Sequence, residues 1–527
     1  MEEKHIYTAN HIDVEERISE SGKKQKGERS SGRLFVACIV FFSLTFASLC
    51  AAIIYLDQKG IIPEAIFTKI LIGAGLFVLL DILMVYASRK NKVIAFISIF
   101  ICFLLIIVSC FGVYTLYKLY ESMNAVEDPE TYYASVGIYV KNGSVFAPAS
   151  SETKAGKDKV TAAFSGDRLA GATVGTMILN LDKGYTSQAM RMFRKNTDVN
   201  VRTFEDFGSM VDALRNDEID AILYNTAFLK MMLEDGDDFF EWAAEADRIY
   251  IETENTATVK KADVVSEPFI VYLAGLDTDD EDTFRQSGTE RADANILVCV
   301  DPVKKKILLV NTPRDYYVPL WGRSNAMDKL THSGVYGIDC SVSTLESFYD
   351  IDINYYVRTN VFSLVKIVDA LGGITVHSDF EFFCANGIGG YHHFYVGDNE
   401  IDGAAALCFI REREQFEDGD RQRGIHQQEC IRAIVEKACS PAIIAHFTDV
   451  LEAVKDAVRT NVSQEEINAL VKMQLSDMAS WSVESVAVDG YGAFRDCLAL
   501  GQEAYVMIPY NETVQTAKDM IREFFAQ

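Results

Sequence analysis

The chain has 527 residues, 49% apolar and 24% charged, and a formal net charge of −26. That length allows more than one domain, and that composition excludes a disordered or collagen-like chain. From Lys118 onward 38 basic residues stand against 66 acidic ones, a balance that argues against nucleic acid as a partner.

In chain order, 35–56, 66–87 and 93–117 are mostly apolar, and each supplies about the twenty residues needed to cross a hydrocarbon layer of about 30 Å. The expected layout is a cytoplasmic tail at 1–33 followed by three transmembrane helices over 34–117. Lys23, Lys24, Lys26, Arg29 and Arg33 precede the first span, and Arg89, Lys90 and Lys92 separate the second from the third. The loop between the first and second carries Lys59 alone. This bias places the N-terminus inside, and an odd number of spans sends everything after residue 117 outside. A cleaved signal peptide, or a lipoprotein signal ending at Cys50, is disfavoured by the bulky Leu49. Asp81, an ionisable group within the second span, is read as reaching headgroups or a neighbouring helix rather than as a functional site.

Eleven cysteines divide into four in the spans and seven outside, with no CxxC pair to support a zinc site. Cys430 and Cys439, if on one helix, would lie about 13 Å apart, too far for a disulfide. Seven is odd, so at least one outer thiol is expected to be buried and free.

Residues 118–264 alternate short apolar runs with helical stretches, an α/β pattern. In FEDFGSMVDALRNDEIDAILYN, Phe207, Met210, Val211 and Leu214 share a helix face, and a buried strand follows. The segment is similar to one lobe of a solute-binding fold, and the region is expected to be a small accessory domain, either a ligand cleft or a docking module. The polar stretch 253–267 marks a boundary, with a second α/β domain at 265–527.

That second domain opens with the strands FIVYLAGLD, ANILVCVDP and KKKILLVNTPRD. Asp277 ends the first and Asp293 begins the next, two residues after Arg291. Strand ends at one sheet edge gather ligands. Two carboxylates there would repel each other unless a cation lay between them, and oxygen ligands suit Mg²⁺. Two solvent-exposed aspartates are the plainer reading. After Pro313, Arg314 is the first residue free to project from its strand, with Asp315 placed to orient it; an ordinary strand-terminal ion pair is the alternative. Arg411 and Arg413 are read as two apart on a strand, sharing a face. Arg423 and Gln427 are four apart on the helix that follows. Converging arginines in an acidic domain suit a polyanion such as pyrophosphate, or else a solvated network with Glu412, Glu414 and Glu417.

The motifs GLD, RAD, NTPRD, VDALGGI, DGAAALCFIRERE and GDRQRGIHQQ occur in one order, followed by SWSVESVAV and YVMIPYNETV. Together they resemble the LytR-CpsA-Psr (LCP) family of cell-wall glycopolymer ligases, over about 269–525. Three spans followed by an accessory domain are similar to its capsule-associated members. The resemblance implies a membrane-anchored α/β protein whose catalytic domain has a central mixed sheet flanked by helices. It implies transfer of a capsular polysaccharide or teichoic-acid-like chain from a polyprenyl pyrophosphate carrier to a peptidoglycan sugar hydroxyl, in a Gram-positive type envelope.

Carried over by position, Asp277 and Asp293 would hold Mg²⁺. Arg291, Arg314, Lys329, Arg411, Arg413, Arg423 and Gln427 would bind the pyrophosphate. Asp277, Arg314, Arg411 and Arg413 form the implied catalytic set, with Asp277 the candidate acceptor of the hydroxyl proton. Such chemistry rests mainly on positioning and charge neutralisation. His426 stands where many family members carry Arg or Asn before the glutamine, so an extra cationic contact is not expected there, though His could still donate a hydrogen bond. His332, His392 and His393 lack metal spacing and are read as structural. The apolar face of SLVKIVDALGG would either line a pocket for the carrier lipid or pack in the core. A hydrolase of the same pyrophosphate and a non-catalytic membrane sensor of wall components are the competing functions.

Overall fold

A computed structural model describes residues 32–58, 64–124, 131–147, 167–177, 182, 184–233, 237–254, 260–276, 288–384, 390–417, 419–440 and 443–526. The chain divides into two compact units, one of residues 1–121 with 468–478 and one of 122–467 with 479–527.

In the first unit, helices Gly32–Gln58, Glu64–Ser88 and Lys92–Asn124 each contain a stretch long and apolar enough to cross a bilayer. Large apolar side chains such as Val36, Leu83 and Phe100 point outward, as helices in lipid require once their backbone bonds are satisfied internally. Asp81 is buried and meets the third helix. It accepts from the Ser98 hydroxyl at 3.1 Å and the Cys102 thiol at 2.8 Å. The neighbouring-helix reading of this residue is therefore the one the structure shows.

The second unit contains two larger sheets. β1 (Thr131–Lys141), β2 (Thr173–Met177), β3 (Asn200–Phe204), β4 (Ala221–Asn225) and β5 (Ala243–Glu254) lie in the order β3-β2-β4-β1-β5. β3, β2 and β4 run parallel, while β1 pairs antiparallel with both β4 and β5. Helix Phe207–Arg215 buries Phe207, Met210 and Leu214, and its first turn is capped by Asp206, which accepts from Ser209 N at 2.7 Å.

The remaining strands are β6 (Phe269–Leu276), β7 (Ala292–Asp301), β8 (Lys306–Thr312), β9 (Tyr317–Pro319), β10 (Met327–Lys329), β11 (Tyr355–Asn360), β12 (Ile374–Ser378), β13 (Phe382–Cys384), β14 (His392–Phe394), β15 (Gly397–Ile401), β16 (Val458–Thr460), β17 (Ser482–Ala487), β18 (Gly490–Cys497) and β19 (Gln502–Pro509). Six of them form the central mixed sheet, in the order β16-β11-β6-β7-β8-β17, and the others pair as two-stranded ribbons. β6 runs parallel to β11 and antiparallel to β7.

Alternation along the strands sorts the two faces. Ile270, Tyr272 and Ala274 of β6 join Leu297, Leu308 and Val310 in a core that also holds Tyr139 of β1 and Phe228 and Leu229 of the helix Thr226–Met232. The opposite face carries Ile296, Ile307 and Leu309, with Leu273, Ile431 and Val435 packed on them. The cavity described next opens on this second face.

Candidate active site

Where the parallel strands β6 and β11 end, helices Val361–Ala370, Gly403–Arg411 and Gly419–Ala438 leave a cavity of about 600 Å³ against the sheet. Its inner wall is apolar, formed by Leu273 and Ile296 from the sheet and by Phe362, Leu364, Ile410 and Ile431 from the helices. Asp293, Arg314, Arg411, Arg413, Arg423 and Gln427 line it too. One cavity thus joins an oil-like wall to four guanidinium groups. The helix SLVKIVDALGG does line a pocket, through Leu364.

Asp293 is the anionic pivot. Its Oδ2 lies 2.9 Å from Arg314 Nη1, and its Oδ1 accepts from the Thr331 hydroxyl at 3.1 Å. Burial pushes the Asp293 carboxyl up, but the guanidinium charges of Arg314, Arg291 and Arg423 and the Thr331 hydrogen bond outweigh that and hold it below the usual carboxylate range. Asp315 orients Arg314 as expected, with Oδ2 3.5 Å from Arg314 Nε. Its Oδ1 lies 3.3 Å from Lys329 Nζ, so Lys329 supports the cluster from behind and does not line the cavity. Arg291 acts on Asp293 through its field and also stands off the lining. Asp277 lies outside the described residues, as the next position after the end of β6.

The strand expected for Arg411 and Arg413 is not formed. Residues Gly403–Arg411 are a helix, and Arg413 lies in the turn beyond it. The cause is local. Asp402 caps the helix by accepting from Ala405 N at 2.9 Å, and Gly403 N donates to Asp369 at 2.7 Å. Helix Val361–Ala370 passes so close that a Cβ on Gly403 would sit 2.3 Å from the Val365 carbonyl oxygen. At the other end Glu412 is buried and accepts from Glu414 N at 2.9 Å. The intervening residue therefore turns inward, while Arg411 and Arg413 both reach the cavity. Among the described residues neither arginine forms an ion pair, which disposes of the network with Glu412, Glu414 and Glu417 for those two.

Arg423 and Gln427 share a helix face, as their spacing requires. His426 turns the other way, into an aromatic cluster, 4.1 Å from the ring of Phe409 and 5.3 Å from that of Phe382. His332 is likewise structural, bonded to buried Asp328 at 2.7 Å. Among the described residues the cysteines are free, and no group of three or more His, Cys, Asp or Glu is placed to hold a metal.

Thr331, Asn360 and Phe362 are site residues that the sequence reading missed. Asn360 carried a signal, since it caps the next helix by accepting from Ser363 N at 2.9 Å. Thr331 carried none, because its partner lies 38 positions away.

Fold and site together define a membrane-anchored α/β protein with a cavity suited to an apolar chain bearing an anionic head. The LytR_cpsA_psr family model matches residues 239–519, more than half of the chain, and the chain belongs to that family. Among its relatives is the polyisoprenyl-teichoic acid–peptidoglycan teichoic acid transferase TagU of Bacillus mycoides, 32% identical over 239 residues, covering 45% of this chain and 73% of that protein. The protein of the same name from Bacillus anthracis is 33% identical over 215 residues, covering 41% and 67%. The crystal structure of B. subtilis TagV aligns with a TM-score of 0.41 at 24% identity, over 50% of this chain and 98% of that one.

Proposed function

We propose that this chain transfers a glycopolymer from a polyprenyl pyrophosphate carrier to a sugar hydroxyl of peptidoglycan, on the outer face of the membrane. The observation that carries the reading is the single cavity whose inner wall is apolar and whose lining includes Arg314, Arg411, Arg413 and Arg423. An isoprenoid chain fits the first part and a pyrophosphate the second. The names of the TagU relatives point the same way. The basic flanks around Arg33 and Arg89 support an inside N-terminus.

The arginines hold the pyrophosphate and spread the charge that grows on its oxygens as the bond to the leaving polyprenyl phosphate breaks. The acceptor oxygen forms the new bond to the sugar-side phosphorus, so the glycan arrives still linked through phosphate, and the hydroxyl proton passes to a carboxylate. Asp277 is the candidate from its position after β6. The donor set suits Mg²⁺, since Asp293 is a hard-oxygen ligand held anionic and Mg²⁺ takes few protein carboxylates beside phosphate and water. Asp293, with Asp277, would hold the ion, which when bound neutralises pyrophosphate charge. Gln427 contributes a neutral hydrogen-bonding group on the same wall.

The test uses the full chain in lipid nanodiscs with a radiolabelled lipid pyrophosphate glycan and peptidoglycan fragments, with and without Mg²⁺. Product should depend on Mg²⁺ and fall by about 100-fold or more in Arg411→Ala/Arg413→Ala. Water-soluble glycan alone would make the protein a hydrolase. Undiminished transfer by the double variant would remove the arginines from the mechanism.

A further inference from the structure

Beside the cavity, the β13–β14 hairpin separates its rings by strand alternation. Phe382 and Phe394 face inward, stacked at 4.7 Å and packed on Phe409. Phe383 and His393 are cross-strand partners on the other face. Tyr391 and Tyr395, two residues to either side of His393, project to that same face. The four rings form a continuous ladder. Centroid separations are 5.3 Å from Tyr391 to Phe383, 4.0 Å from Phe383 to His393 and 4.0 Å from His393 to Tyr395. The end members, Tyr391 and Tyr395, are 68% and 59% exposed. Aromatic surface of this extent, pre-ordered and left in water, marks an interaction site.

The ladder is also joined to the cavity. The Gln415 side-chain amide donates to the Phe383 carbonyl and accepts from Phe383 N. Gln415 stands two residues after Arg413, so the arginine turn and the ladder strand are held together by both ends of one amide.

We propose that the ladder is a glycan-binding platform that holds a strand of pyranose rings, the acceptor, beside the arginine cluster. The proposal rests on the transferase reading above and assigns it an acceptor subsite. A pyranose presents a face of C–H groups that packs on an aromatic ring, and a rim of hydroxyls that needs acceptors. Glu381 supplies a carboxylate within the ladder, 2.9 Å from His393 Nε2. Asp379, just past the end of β12, and Asp398 on β15, both about three-quarters exposed and grouped around His377, supply more. These charges also decide against the other surface that exposed tyrosines fit. An anionic membrane face would be repelled by Asp379, Glu381 and Asp398. A neutral sugar strand is not.

The experiment measures binding of uncharged β-1,4-linked N-acetylglucosamine oligomers, a pyranose strand without carboxylates, to the full chain in zwitterionic nanodiscs. Tyr391→Ala/Tyr395→Ala should weaken that binding about ten-fold, for two lost ring contacts. Tyr391→Phe/Tyr395→Phe, which keeps both faces, should retain it and serves as the folding control. Arg411→Ala/Arg413→Ala should keep glycan binding while losing the lipid pyrophosphate. Equal glycan affinity in the wild type and the Tyr→Ala variant overturns the platform, whatever the transfer assay gives. So does ladder-dependent recruitment to phosphatidylglycerol vesicles without glycan binding. Ladder-dependent glycan binding by a chain that transfers nothing would keep the platform and sink the transferase reading instead.

Discussion

Between Arg423 and Gln427, His426 points away from the cavity and holds the helix on its aromatic bed. Its Nδ1 donates to the Phe409 carbonyl at 2.9 Å, which leaves Nε2 to accept from the Gln422 amide at 3.0 Å. The Nε2 contact requires the neutral ring, whereas the Nδ1 donation persists when the ring is protonated. Burial pushes its pKa down to about 4 from the ordinary 6.5, against the opposing pull of the Phe409 carbonyl and the Asp379 charge. A folded-state value below the unfolded one means that the stabilisation is complete above pH 6.5 and is lost as pH falls towards 4. The shift corresponds to about 3 kcal/mol across that window. We therefore expect the urea midpoint of the detergent-solubilised chain to drop between pH 7 and pH 4.5 by more in the wild type than in His426→Gln. Parallel curves for the two proteins would mean that the ring titrates normally. At this position, where the resemblance gave no cationic contact to expect, the ring has a packing role, which no spacing argument could have supplied.

At the scale of elements, the strands of the central sheet were legible because β6, β7 and β8 are apolar runs bounded by Asp, Pro and Lys turns. The helix carrying Arg411 was not, because FIRERE alternates as a strand does. The Asp402 cap is a local signal, but the fit of Gly403 against Val365 depends on a helix more than 30 positions earlier. Arg291 and Lys329 stand off the lining; Arg314, Arg411, Arg413 and Arg423 meet in one cavity, but Arg411 and Arg413 were expected on a strand. Their geometry depends on that close helix crossing, which gives a sharp expectation for Gly403→Ala. Alanine gains up to about 1 kcal/mol of helix propensity over glycine. A Cβ placed 2.3 Å from a backbone oxygen cannot rotate clear, and parting the helices costs about 1–3 kcal/mol. The net effect should be a lower melting temperature together with weaker lipid pyrophosphate binding, although no cavity side chain has changed. A variant that melts higher and binds normally would show that the helices can separate without moving Arg411.

At the scale of the molecule, the sequence marks a boundary between two α/β regions, yet the two larger sheets bury one continuous set of apolar side chains. Phe228, on the helix Thr226–Met232 after β4, packs edge-on against Tyr336, on the 3-10 turn Leu330–Tyr336 after β10, with ring centroids 5.9 Å apart. Residues 260 and 262 are tied to the second region: the Lys260 carbonyl accepts from Asn354 at 2.7 Å and the Ala262 carbonyl from Tyr355 at 2.9 Å. Unfolding either sheet would expose the core of the other, so the two should melt together. Tryptophans report on each side, Trp242 beside β5 and Trp321 and Trp481 around the central sheet. In proteins reduced to one of these by Trp→Phe exchange, the denaturation midpoints should coincide. Phe228→Ala leaves a cavity in the shared core and should cost about 3–5 kcal/mol. The test is where that loss appears. A shift of both midpoints by the same amount is expected, whereas a shift confined to Trp242 would mean that the first sheet folds on its own and that the shared core is contact without coupling.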